Sequence, residues 1–124
     1  MSLERRQRAW LRGRRAESLA ALWLRLKGYR VLARDYRAGV GEIDLIARRG
    51  RILALVEVKA RGGLAEAGEA LGRRQQERIA RAAKAFLQRH PSLGKLDLRF
   101  DAILIAPGRW PRHITDVWRE ELRF

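Results

Sequence analysis

Residues 41–61 read GEIDLIARRGRILALVEVKAR, and the fold turns on how this stretch is parsed. Two runs rich in Ile, Leu and Val, residues 42–47 and 51–60, flank Arg48-Arg49-Gly50, the pattern of two strands joined by a tight turn. The second run is apolar on both faces, with Ile52, Ala54, Val56 and Val58 on one and Leu53 and Leu55 on the other. A strand of that kind is covered on both sides. Three charges nevertheless sit inside these runs: Asp44, Glu57 and Lys59. Closing the hairpin on Arg49-Gly50 pairs Arg48 with Arg51 and sets Asp44 opposite Leu55. Period-two alternation then puts Asp44, Leu55, Glu57 and Lys59 on one face. Asp44 and Glu57 become diagonal neighbours, about 7 Å apart at the backbone.

Around the hairpin the chain alternates helical and extended patterns. Ala16, Leu19, Ala20, Trp23 and Leu26 follow helical spacing, and Gly28 is the stop. Residues 29–36 alternate as a first strand, and residues 38–41 form a turn. A glycine-containing loop covers residues 62–72. Residues 73–90 form an amphipathic helix with Ile79, Ala82, Ala83, Phe86 and Leu87 on one stripe, ended by Pro91. Strands are expected at residues 96–106 and 113–118, with a turn at 107–111. The order α-β-β-β-α-β-β describes an α/β domain, a mixed central sheet flanked by helices. One domain is expected over residues 1–124, with a basic segment at about 1–12.

Composition narrows the function classes. The chain has 28 Lys+Arg against 14 Asp+Glu, a formal net charge of +14, and 47% hydrophobic residues, enough to fill a core. No cysteine is present, which excludes a disulfide scaffold and thiolate chemistry. Only His90 and His113 remain as soft ligands, which argues against structural zinc. No apolar run approaches the ~20 residues of a membrane span, and residues 1–10 are charged where a signal peptide is apolar. A cytoplasmic protein with no membrane partner is the expectation. Charge of this size speaks to partners: nucleic acid first, an acidic protein or anionic membrane surface after it. The 24 Arg to 4 Lys favour bidentate phosphate contacts, although genome base composition also favours Arg.

Charge inside an apolar strand is costly unless it is paired or binds a metal. Two converging carboxylates repel unless a cation lies between them. Oxygen ligands without Cys or a nearby His suit Mg²⁺ or Mn²⁺. A lysine two residues along the same face can position a water or stabilise a phosphate. Together with a basic surface, this describes phosphodiester hydrolysis. A structural network of buried ions is the alternative reading of the same three residues.

The residues Gly41-Glu42-Ile43-Asp44-Leu45-Ile46, followed by Glu57-Val58-Lys59-Ala60-Arg61 and by Arg99-Phe100-Asp101, resemble the bacterial YraN family, a branch of the PD-(D/E)XK nuclease superfamily. The resemblance runs from about Gly13 to Ala106 and implies a restriction-endonuclease-like fold. It further implies that Asp44 and Glu57 hold a metal together with the backbone carbonyl of Val58, and that Lys59 is the catalytic lysine. Glu17, on the first helix, matches the extra acidic residue of the resolvase-like branch, which reaches the metal directly or through water. Gln76 matches a glutamine at the start of the second helix. The lysine common just before it is here Gln75, a departure from the pattern.

The activity so implied is Mg²⁺-dependent endonucleolytic cleavage, of DNA rather than RNA, with branched or processed DNA as substrate by analogy with junction resolvases. A homodimer would suit a symmetric junction; the sequence neither shows nor excludes it. Arg14 and Arg15, from the cluster of arginines between Arg5 and Arg15, and Arg61 are candidate phosphate contacts. The plain alternatives are a solvated terminus and strand end. Two rival functions stand beside the nuclease: a non-catalytic nucleic-acid-binding module of the same fold, and an adaptor for an acidic protein. His113 shows no partner pattern, and the four tryptophans read as core or interface, with base stacking open to Trp110.

Overall fold

The computed structural model describes residues 3–39, 41–60 and 73–117, with side chains described from Gly13 in the first helix and from Arg74 in the second. Its elements are α1 (Leu3–Leu26), β1 (Arg30–Ala38), β2 (Gly41–Arg49), β3 (Ile52–Lys59), α2 (Arg73–Arg89), a 3₁₀ turn (Pro91–Lys95), β4 (Asp97–Leu104) and β5 (Arg112–Ile114). The strands form one sheet in the order β1-β2-β3-β4-β5. All neighbours are antiparallel except β3 and β4, which run parallel. A parallel pair needs a crossover, and α2 supplies it. The expected α-β-β-β-α-β-β order and mixed sheet are therefore what forms. No helix among the described residues is long and apolar enough to cross a membrane.

The doubly apolar β3 lies at the centre of the sheet. Its Leu53 and Leu55 join Ile46, Ile79, Ala82, Ala83, Phe86 and Phe100 under α2. Its Ala54 and Val56 join Ala20, Ala21, Leu24, Tyr29, Leu45 and Ile103 under α1. Helix α1 ends at a Schellman cap. The Tyr29 amide donates to the Leu24 carbonyl (2.9 Å), the Gly28 amide to that of Arg25 (3.0 Å), and Gly28 takes φ +90°.

Two expectations are corrected. The hairpin closes on Gly50-Arg51, not Arg49-Gly50: Arg49 pairs with Ile52 and Leu45 with Val56. Gly50 takes φ +60° at the first central position, which a primed hairpin turn requires and which Arg49 would occupy under strain. The last strand spans only Arg112–Ile114. The anticipated loop 62–72, Arg61, Trp118 and the side chains of the basic segment 1–12 lie outside the described residues.

A two-residue slip of the hairpin leaves the faces of a regular strand unchanged. The structure nevertheless breaks alternation at Asp44, because Ile43 packs under α2 and Leu45 under α1. Strand β1 breaks at the same level. Arg34 reaches Glu17 and Ser18 on α1, whereas Tyr36 meets Phe86 of α2 edge-on, and Asp35 between them takes φ +47°.

Candidate functional site

The site lies where the β2–β3 ladder runs out. Leu45↔Val56 is the last partner pair of the ladder, and one step further the register brings Asp44 across from Glu57. There the Val58 amide donates to Asp44 Oδ2 at 2.8 Å. Because alternation breaks at Asp44, its carboxyl lines a cleft of about 250 Å³ beside α1, with Arg14, Glu17, Glu42 and Val58 also on its wall. Glu57 makes its contacts elsewhere. Its Oε1 accepts from Lys59 Nζ at 3.2 Å and from Gln75 Nε2, at the start of α2, at 3.3 Å. The single shared face expected from strict alternation is thus replaced by two groups meeting at one strand end: Asp44 with Glu17, and Glu57 with Lys59.

The two groups feel each other's charge. Burial first and the Glu57 charge second push the Asp44 carboxyl up from 3.8 to about 7. The Val58 amide pulls against this, while Glu42 and Glu17 add to the rise. Glu17 is held by Arg34, whose Nε lies 3.4 Å from Oε1 and whose Nη2 donates to Ser18 Oγ at 2.8 Å. Glu42 is 3.4 Å from Arg78 on α2. Acidic groups thus crowd around Asp44, with cations at the edge of the cluster.

Among the described residues no group of three or more His, Asp or Glu side chains stands close enough to hold a metal by itself. Magnesium keeps several waters and binds through one or two carboxylates plus substrate phosphate, so it does not need such a cage. A carboxyl whose ionisation is opposed by burial and by a second carboxylate is the donor chemistry a hard cation relieves. The residues present fit that cation.

Of the anticipated site residues, Glu17 and Asp44 meet in the cleft, and Glu57 and Lys59 meet in an ion pair. Arg14 lines the cleft and Arg15 is exposed beside it on α1. Gln75 Nε2 reaches Glu57, and Gln76, named from the sequence, is the half-buried next residue of α2. Arg34 was not legible as a holder of Glu17, because the pairing joins residues 17 apart on different elements.

A second buried network also escaped the sequence reading. Asp101 is 2% exposed and accepts from Arg99 Nε and Nη2 (2.8 and 2.7 Å), from His113 Nε2 (2.8 Å) and from the Asp116 amide (3.1 Å). Arg99 also donates to the Tyr29 hydroxyl, and Lys27 bonds to His113 Nδ1. The signal that could have found it is a charge inside an apolar strand, the same one that singled out Asp44. Trp110 is exposed, and its ring centroid lies 5.9 Å from that of Trp23.

Comparison with known proteins places this chain in a family. A UPF0102 protein of Parvibaculum lavamentivorans is 60% identical over 111 residues, covering 90% of this chain and 84% of the relative. A UPF0102 protein of Paramagnetospirillum magneticum is 55% identical over 117 residues, covering 91% of each. One of Chelativorans sp. is 51% identical over 113 residues, again covering 91% of each. The pattern of the uncharacterised protein family UPF0102 matches residues 16–105, which reach from the start of the described α1 core to the end of β4 and take in Glu17, Asp44, Glu57 and Lys59, so the chain belongs to the UPF0102 (YraN) family.

Proposed function

We propose that this protein is a Mg²⁺-dependent endonuclease that hydrolyses phosphodiester bonds in DNA, with Mn²⁺ able to replace Mg²⁺. The observation that carries the reading is Asp44, a carboxyl kept from ionising by burial and by the Glu57 carboxylate across the hairpin, with a lysine 3.2 Å from Glu57. Asp44 and Glu57 would hold the ion with the Val58 carbonyl, and Glu17 directly or through water. A divalent cation so held lowers the pKa of water and offsets charge on a phosphate.

The chain's own groups do the rest. Glu57 and Gln75 fix the Lys59 amine near the strand end, where it can hold a water or meet charge growing on phosphate oxygen. The Val58 amide fixes one oxygen of Asp44, leaving the other for the ion. Arg34 keeps Glu17 turned toward the cleft. Arg14 at the cleft and Arg15 next to it suit phosphate contacts.

The test is incubation of the protein with end-labelled duplex, single-stranded, flap, fork and four-way-junction DNA in Mg²⁺, Mn²⁺ or EDTA. Cutting should require the metal. It should disappear in Asp44→Asn and fall by on the order of 10²–10⁴ in Lys59→Ala. Cutting in EDTA, or at the unaltered rate in both variants, would sink the reading. One observation favours the non-catalytic binding module instead: Glu57 Oε1 accepts from both Lys59 and Gln75, as in a structural ion network. That reading predicts salt-sensitive binding and no cutting in either metal.

A further inference from the structure

We infer that the solvent face of α2 is the surface that takes the phosphate backbone of duplex DNA, an inference that rests on the nucleic-acid reading above and names where that partner lies. Helix α2 carries six cations against one acid, Glu77. Its apolar stripe of Ile79, Ala82, Ala83 and Phe86 is buried against the sheet. Arg74, Arg81 and Lys84 are exposed on the other side. Arg74 and Arg81 are two turns apart on one line, a rise of about 10 Å. Along a duplex each strand presents a phosphate per about 3.4 Å of axis, so that row spans about three phosphates. A shallow cleft of about 460 Å³ runs among Arg74, Glu77, Arg78 and Arg81.

Three contacts tie this row to the candidate site. Gln75 donates to Glu57 one residue after Arg74. Arg78 pairs with Glu42, which lines the Asp44 cleft. Gly41 brings β2 so near α2 that an added Cβ would stand 2.6 Å from the Ala82 amide nitrogen and 2.7 Å from the Arg78 carbonyl oxygen. The helix is therefore fixed beside the strand end that carries Asp44. A rigid, straight row of cations suits a regular backbone, and its sign excludes a basic partner. Phosphate contacts of this kind position the substrate without reading its sequence.

The test measures binding of a fluorescein-labelled 20-base-pair duplex in EDTA across a salt series. It compares the unaltered chain, a triple Arg74→Gln, Arg81→Gln, Lys84→Gln variant, and a control of equal charge change. The control is Arg30→Gln, Arg48→Gln, Lys95→Gln, all exposed near the hairpin-turn end of the sheet. The α2 variant should lose between two and three units of salt slope, about 0.9 per phosphate contact, and bind roughly a hundredfold or more weakly near 0.1 M salt. The control should keep the slope of the unaltered chain, and all three should melt at similar temperatures. Equal losses in both triples, or none in the α2 variant, would overturn the inference. No binding by the unaltered chain would overturn this inference and the nucleic-acid reading together. Binding lost only in the α2 variant supports the surface even where no DNA is cut in Mg²⁺, an outcome that removes the hydrolytic reading alone.

Discussion

Asp44 and Asp101 are both aspartates in apolar strands, and their surroundings move them in opposite directions. Burial and then Glu57 raise Asp44 to about 7. Below its unfolded value near 3.8 the group is neutral in both states and costs nothing. As pH climbs from about 4 to about 7 the folded state retains the proton, and ionisation increasingly favours the unfolded chain. Asp44→Asn, whose amide oxygen can still accept from the Val58 amide, should therefore melt at a higher temperature than the unaltered protein at pH 8. The gain should be on the order of a few kcal/mol and should vanish near pH 4, in thermal melts without metal. Equal melting temperatures at pH 8 would show that the carboxyl is not destabilised by its site. Asp44 was legible as a charge out of place in a strand. Its turn toward α1 was not, because that depends on the break shared with Asp35 on the neighbouring strand.

At the scale of elements, the β2–α2 contact is the tightest joint around the site. Gly41 is buried, and the two nearest atoms its Cβ would meet are backbone, which cannot swing aside as a side-chain tip does. Gly41→Ala should push α2 off the sheet and cost roughly 1–3 kcal/mol, read by denaturant unfolding. The same shift should loosen Gln75 from Glu57, so metal-dependent cutting should fall further than stability alone explains. A variant as stable as the parent would mean that β2 yields instead. From the sequence Gly41 reads as part of a turn; that a helix 40 residues away packs on its Cα is a property of the crossover, not of local pattern. Helices α1 and α2 and the strands themselves were legible, because each has a clear apolar period and a stop at Gly28 or Pro91.

For the molecule as a whole, the Asp101 network ties β4 to β5 and to the loop after α1. Burial alone would raise Asp101, but the hydrogen bonds from His113 and Arg99 outweigh it and hold the carboxyl below its ordinary range. A depressed folded pKa contributes stability above about 4 and loses it as pH falls through the folded value. This is the reverse of Asp44. Without metal, the two aspartates together place the maximum of stability near pH 4, falling away on both sides, as melts from pH 3 to 9 would show. Asp101→Ala should cost about 3–5 kcal/mol at neutral pH, because it leaves the half-buried Arg99 charge without its carboxylate. A loss below 1 kcal/mol in urea unfolding would mean that Tyr29 and water replace the pair.

Glu17 was singled out only by the resemblance to the YraN family, whereas the amino-acid order alone determined the element sequence, the central doubly covered strand, the basic surface and the identity of Asp44, Glu57 and Lys59 as candidates. These follow from periodicity, composition and the cost of charge in apolar strands, all of which are local. Tertiary structure decided the hairpin register, the face Asp44 takes, the Gln75–Glu57 bond and the Asp101–His113 bond. Each of these joins residues on different elements or hangs on one backbone dihedral, Gly50 at the turn and Asp35 at the kink. A one-dimensional pattern carries the period of a strand, but not where neighbouring strands agree to break it.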